Sequence, residues 1–379
     1  LSNLNLEGLN SFVIYKENQL KNYFINTFGD NIICNRDKIM VYHNGKWIHD
    51  HCCCILKKYI LDIIIKLYLT LLEEYKKILN RLRKDEDKET EFKETKKEYD
   101  ILEKLHNGFG NTKVNNVYNL VKYEIKCENK DCDVFDKNGY LFAFNNIGYD
   151  FELKIFRPIN KFDFVATTTE REWIEPTQEK LETINKIIDD IFPDKQMKQS
   201  YLSILKSGLY GIRYDLFNVE TGGGRNGKSL LGDLFNLVLG NYAINLPLGV
   251  LTRELKPNDS ALRRIHKARY VSFTEPDNGM NEQLRVSNIK GLTGEDSIVV
   301  RDLYEKAFAA SIVGTFVVLC NSLPDIAFEN NEAEIQRINI VAFETTFTDN
   351  EKQLKLDPKK FKPINKSYMT REWKEEYAN

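Results

Sequence analysis

The chain has 379 residues, 42% hydrophobic and 29% charged, with 54 Lys and Arg against 56 Asp and Glu for a net charge of −2. That length predicts two or three domains, and that composition a globular chain with a sizeable core. The near-neutral balance gives no global sign of a nucleic-acid binder, so any DNA contact must be a local basic surface. No run of about 18 apolar residues offers a membrane span.

The first 20 residues lack the basic start and apolar core of a signal peptide. With Leu at position 1, the chain is expected to be a fragment or a processed product. In chain order, Asp37–Ile48 alternates apolar and polar residues around His43-Asn44-Gly45 and reads as a hairpin. From Cys52 to about Leu82 apolar residues recur at three and four, the spacing of a long helix. Arg83–Tyr99 is nearly all charged and predicts a solvated helical arm, and Val114–Tyr123 a short helix. Asp136–Phe144 and Leu153–Pro158 read as strands broken by turn residues. Pro158, Thr167–Thr169 and Pro176 mark a domain boundary near residue 175. Residues 177–210 hold one or two helices interrupted at Pro193, and 346–379 are charged and irregular, a linker toward a further segment.

Seven cysteines are present, three of them adjacent at Cys52–Cys54 behind His49 and His51, with Cys127 and Cys132 further on. Neither cluster has C-x₂-C or H-x₃₋₅-H spacing, so reduced thiols are expected rather than a zinc site.

Residues 222–229 read Gly-Gly-Gly-Arg-Asn-Gly-Lys-Ser, the spacing G-x-x-x-x-G-K-S. Asp215–Thr221 before it looks like a short buried strand, and Leu230–Leu239 after it has helical apolar spacing. Glycines let backbone N–H groups close around phosphate oxygens, and the helix N-terminus adds partial positive charge. Gly222, Gly223, Gly224, Arg225, Asn226, Gly227, Lys228, Ser229 and Leu230 are therefore assigned to ATP binding. Lys228 reaches the β- and γ-phosphates and Ser229 offers its hydroxyl to Mg²⁺.

Such a loop leaves kinase, GTPase, ATPase and helicase open. Arg269–Asp277 is an apolar strand ending in acids, where a Mg²⁺-ligating or water-activating carboxylate is needed. Glu275 is the first choice and Asp277 the second. Thr315–Asn321 is a further buried strand, and Asn321 at its tip can hold an attacking water. Arg337, before the strand Ile338–Phe343, can neutralise charge on a phosphate bound by a neighbouring subunit.

In this order the loop, the strand-end Glu, the strand-end Asn and the Arg resemble a superfamily 3 helicase. More narrowly they resemble the helicase part of poxvirus-type and phage-type primase-helicases. Lys290–Asp296 with Arg301, Leu303 and Tyr304 is similar to that group's extra motif, which often has a second Gly where Glu295 stands. Asn321–Pro324 matches its N-x-x-P. The resemblance covers about 195–348. Tyr42–Trp47, Asn138–Leu141 and Phe156–Pro158 are similar to the domain that precedes the helicase in this group. The family often has paired arginines where Gln336 and Arg337 stand here.

The resemblance implies an α/β fold, an AAA+-like P-loop NTPase domain with a central parallel sheet, preceded by a mixed α+β N-terminal domain and a helical collar. The implied domains are 1–175, the collar 176–210, the helicase domain 211–345 and the tail 346–379. It implies a ring, usually hexameric, with ATP and Mg²⁺ between subunits. Lys228 and Ser229 would hold phosphates and metal, Glu275 would ligate Mg²⁺ and activate water, Asn321 would act as sensor, and Arg337 would reach across. The family also places a DNA-gripping hairpin between Glu275 and Asn321, here Ile298–Phe308. Arg301 and Lys306 could pair with phosphates, and Tyr304 and Phe308 could pack on sugars or bases. The implied role is an ATP-dependent DNA helicase of viral or mobile-element replication, intracellular, in the host cytoplasm or a viral factory. An upstream primase domain or replication partners go with it, and no membrane. A DNA-independent packaging or remodelling ATPase is the chief alternative. A kinase would need a lid and acceptor pocket of which the sequence shows no sign.

Overall fold

The computed structural model describes residues 16–35, 38–128, 134–256, 259–274, 283–294, 298–301, 307–326 and 332–378. The chain divides into two units at Phe135/Asp136.

The first unit opens with α1 (Glu17–Phe28). An antiparallel sheet follows, β1 (Ile32–Asn35), β2 (Lys38–His43) and β3 (Lys46–His49), in that order. The predicted hairpin is β2–β3. Its turn residues Asn44 and Gly45 have φ of 50° and 81°, the left-handed pair that a two-residue hairpin turn requires. Then come α2 (Cys54–Leu82), α3 (Glu89–Asn107) and α4 (Asn111–Glu128). On α2, Leu56, Ile60, Ile64, Leu67 and Leu71 form one buried stripe, as the three-and-four spacing predicts. The carboxylate of Asp50 caps this helix, accepting from Ile55 N at 3.2 Å and Leu56 N at 2.9 Å. The charged arm departs from the expected solvated helix only at its end. Within α3, Tyr99 and Leu102 bury into the same core as the α2 stripe, and Tyr75 Oη donates to Glu98 at 3.1 Å. Two apolar residues one turn apart suffice to seat a helix that is polar elsewhere.

The second unit begins with a small antiparallel sheet, β4 (Leu141–Ala143), β5 (Gly148–Asp150) and β6 (Ile155–Arg157). Next are α5 (Gln178–Ile191) and α6 (Lys195–Leu209), broken at Pro193 as predicted. The main sheet and its connections follow: β7 (Arg213–Thr221), α7 (Lys228–Leu239), β8 (Ala243–Pro247), α8 (Ser260–Ile265), β9 (Tyr270–Thr274), α9 (Val286–Thr293), β10 (Ile298–Val300), β11 (Phe308–Ala310), β12 (Gly314–Cys320), α10 (Glu332–Ile335) and β13 (Ile338–Ala342). The five-stranded sheet has the order β13-β7-β12-β9-β8 and is parallel throughout. Its strands are apolar on both sides because both faces are covered. Phe217, Phe273, Phe316 and Val318 face α8 and α9, while Val317, Val341 and Tyr270 face α5, α6 and α7. This is the expected α/β, AAA+-like P-loop architecture, with the mixed α+β region ahead of it.

Two boundaries differ from the sequence reading. The expected break near 175 lies inside the second unit, because Leu141, Phe142, Ala143 and Val165 belong to the core that α5, α6 and the sheet share. Arg269, at the start of β9, fastens this join. It is buried, donates to Leu209 O and Leu141 O at 2.8 Å each, and lies 4.3 Å from the Tyr242 ring centre. The tail is the second difference. It is ordered as β14 (Thr346–Thr348), α11 (Glu351–Leu356), β15 (Phe361–Pro363) and α12 (Arg371–Tyr377). Lys374 pairs with Asp233 of α7 at 2.7 Å, Lys180 of α5 donates to Glu376 O at 2.7 Å, and Arg171 pairs with Glu375. A charged segment reads as irregular when its charges are assigned to solvent, but Lys374 meets a partner on α7 and Glu375 meets Arg171.

Candidate functional site

The phosphate loop sits where a parallel sheet concentrates its ligand sites, at the carboxyl ends of the strands. Register brings four tips together. Cys320 and Ala342 both pair with Thr221, and Leu319 pairs with Thr274. Gly222 leaves β7 at φ 151°, Arg225 is left-handed at 62°, and Gly227 caps α7 at 85°. A Cβ at Gly222 would strike the carbonyl oxygen of Phe343, and one at Gly227 would lie 2.5 Å from Ile191 Cδ1. At Gly223 and Gly224 a Cβ would meet nothing within 4 Å. The first and last glycines are therefore imposed by the protein's own packing. The middle two leave an open cradle whose backbone a phosphate can approach.

Lys228 is buried at the first turn of α7. Its ammonium donates to Gly222 O at 2.7 Å and to Cys320 O at 2.8 Å, which ties the start of the loop to the tip of β12. Asn321 follows at once and is exposed beside that contact. Ser229 is also exposed, one residue into the helix, where a hydroxyl can reach a phosphate-bound metal. Asn226 is buried and shapes the loop, accepting from Lys228 N at 3.3 Å and donating to Phe343 O at 3.4 Å. The donor set, a lysine, a hydroxyl and a helix N-terminus around an open cradle, fits a Mg²⁺-nucleoside triphosphate.

The other predicted residues fall into two groups. Glu275, Asp277, Tyr304 and Lys306 lie outside the described residues. Thr274, immediately before Glu275, ends β9 level with Leu319, two residues before Asn321. Arg337 stands at the opposite end of the sheet. Ile338 pairs with Phe217, five residues before Gly222, roughly 16 Å along a strand. Its guanidinium donates to Thr293 Oγ1 at 3.2 Å, so it is not placed for the phosphates of its own loop. β10 and β11 pair antiparallel from Ile298/Ala310 to Val300/Phe308. Arg301 is exposed where β10 ends. Phe308 is half-buried, its ring 5.6 Å from that of His266, so part of its surface goes to packing.

Sequence reasoning missed two contributors. One is Phe343–Phe347, which straps the loop. Phe343 N donates to Thr221 O at 2.8 Å and Phe347 N to Arg225 O at 2.7 Å. The pattern Phe-Glu-Thr-Thr-Phe carries no phosphate signature, so only the register of β13 beside β7 reveals it. The other is Glu220, a fully buried acid one residue before the end of β7. Burial pushes its carboxyl up to about 8, against the opposing pull of the Lys228 charge. An acid in a strand of Leu, Phe and Val was the available signal.

Glu220 makes stability pH-dependent. With a folded value of about 8 against an ordinary 4.5, the folded state holds the proton across that window while the unfolded state has released it. Stability therefore falls as pH rises from about 4.5 to about 8, by up to about 5 kcal/mol. Glu220→Gln is expected to flatten the fall of Tm between pH 5 and 8. An unchanged slope would show that Glu220 titrates normally.

No known protein-family model matches the chain. It is 26% identical over 333 residues to a protein of Acanthamoeba polyphaga mimivirus that carries a helicase name, covering 86% of this chain and 34% of that one. It is 31% identical over 232 residues to a helicase-named protein of Invertebrate iridescent virus 3, covering 58% and 24%. It is 31% identical over 140 residues to a primase-named protein of African swine fever virus, covering 35% and 14%. The chain spans about a third or less of the length of these relatives. Among the described residues no helix is long and apolar enough to cross a membrane.

Proposed function

We propose that this chain, a relative of the helicase- and primase-named viral proteins, is the motor part of a viral replicative DNA helicase of the superfamily 3, AAA+ type. The observation that carries the reading is the convergence of the phosphate loop, Lys228 and the tips of β7, β12 and β9 on one edge of the sheet. That is the arrangement a nucleoside triphosphatase needs, and the relatives' names supply the nucleic acid.

ATP would bind across Gly222–Leu230, with Mg²⁺ held through Ser229 and Glu275. Bound Mg²⁺ would supply charge neutralisation on the phosphates. Lys228 would leave its two carbonyls for the β- and γ-phosphates. Glu275, with Asp277 as the second choice, would orient and deprotonate the attacking water, and Asn321 would hold that water. Arg337, about 16 Å from its own loop along the strand, would serve the neighbouring subunit's phosphate in a ring, a hexamer in this reading. The hairpin from Ile298 to Phe308, with Arg301, Tyr304 and Lys306, would contact single-stranded DNA and move with each hydrolysis. A primase domain or other replication proteins would be the chain's partners.

The DNA-gripping part is tested by Arg301→Ala combined with Lys306→Ala. Removing two phosphate contacts should weaken single-strand binding and reduce its log–log salt slope by about 1.4. Binding and slope unchanged from the parent chain would mean that the hairpin does not touch DNA.

A further inference from the structure

The run Cys52–Cys54 at the head of α2 is not used by the nucleotide site, and its three thiols have different environments. Cys53 is half-buried, and its sulfur accepts a hydrogen bond from Tyr118 Oη at 2.8 Å. Cys52 and Cys54 are both exposed. Cys54 Sγ lies 3.4 Å from Cys52 O, so the two exposed cysteines share one bend of the chain. Between them Cys53 is left-handed, φ 59°, which folds the chain back just before the helix. Cys34 and Cys320 are buried and shielded.

We infer that Cys52 and Cys54 form a redox-convertible dithiol that closes to an intramolecular disulfide on meeting a low-molecular-weight disulfide such as oxidised glutathione. The neighbouring Cys54 side chain holds the Cys52 thiol below its ordinary value, and Cys52 in turn raises that of Cys54. Cys52 is thus the attacking sulfur and Cys54 the resolving one. The Cys52 thiolate attacks one sulfur of glutathione disulfide. The S–S bond breaks, one glutathione leaves as thiolate and takes a proton, and a mixed disulfide remains on Cys52. Cys54 then loses its proton to solvent and attacks the Cys52 sulfur, expelling the second glutathione. Two cysteines are oxidised and one glutathione disulfide is reduced to two thiols. Cys53 stays out of the exchange because its sulfur is turned to Tyr118. No metal is needed, and among the described residues no group of three or more His, Cys, Asp or Glu could hold one.

The test incubates the native full chain with glutathione disulfide, quenches in acid, alkylates the remaining thiols and digests with trypsin. The peptide Trp47–Lys57 carries all three cysteines. The expected product has one alkyl group, on Cys53, and has lost two hydrogens between Cys52 and Cys54. In Cys54→Ser, glutathione should persist on Cys52 because the resolving sulfur is gone. Three alkyl groups on the wild-type peptide, a disulfide that includes Cys53, or an unmodified Cys52 in Cys54→Ser would each overturn the inference.

Discussion

Lys228→Ala is expected to lower ATP turnover by at least about a hundredfold, the scale on which removal of one preorganised charge-stabilising donor acts, with the fold retained. The side chain does two jobs in turn. Without nucleotide its ammonium bridges Gly222 O and Cys320 O, and with nucleotide it would meet the phosphates. Alanine is the best helix former for the first turn of α7. The residues that seat this helix, Leu231, Leu234 and Leu239, are untouched. Two carbonyls lose a donor, a cost of about 1–3 kcal/mol each if water does not replace it. A cooperative melt lowered by several degrees, with turnover gone, is the expected pair of results. Unchanged turnover would remove the loop from the account.

Gly222→Ala should abolish nucleotide binding by a different route, through the backbone. At φ 151° an L-residue is strained, at about 1–3 kcal/mol. The new methyl would also collide with Phe343 O and crowd Asn226 Nδ2. Since a backbone carbonyl cannot rotate away, either the strap at Phe343–Phe347 lifts or the loop deforms. Titration with ATP or a non-hydrolysable analogue should show affinity reduced at least about tenfold, and thermal melting should show a loss of several degrees. Gly224→Ala is the matched control for stability alone, because no protein atom lies within 4 Å of a Cβ there. Equal affinity in Gly222→Ala and the parent chain would mean that the strap is not rigid.

The loop and its helix were readable from sequence because G-x-x-x-x-G-K-S joins local spacing to local structure. Lys228 and Ser229 stand where that motif puts them, and the β2–β3 hairpin follows from Asn44-Gly45 alone. The paired faces of the sheet were also legible, since Tyr270–Thr274 and Gly314–Cys320 are apolar runs too short for helices. What escaped was non-local. The division at Phe135 rather than near 175 depends on Arg269 reaching carbonyls more than a hundred positions away in sequence, at Leu141. The ordered tail depends on Lys374 finding Asp233, and the strap on the register between β13 and β7. Glu220 was visible as an acid in an apolar strand, but its burial against α6 and α7 is a tertiary fact. Composition gives no warning of such contacts, because each residue is ordinary in its own neighbourhood.

The most direct measurement is the ATP turnover of the purified chain with and without single-stranded DNA, with Lys228→Ala alongside. Turnover is expected to rise severalfold with DNA and to disappear in the variant. Lysine-dependent turnover indifferent to DNA at every concentration would contradict the helicase reading and point to a DNA-independent remodelling or packaging ATPase.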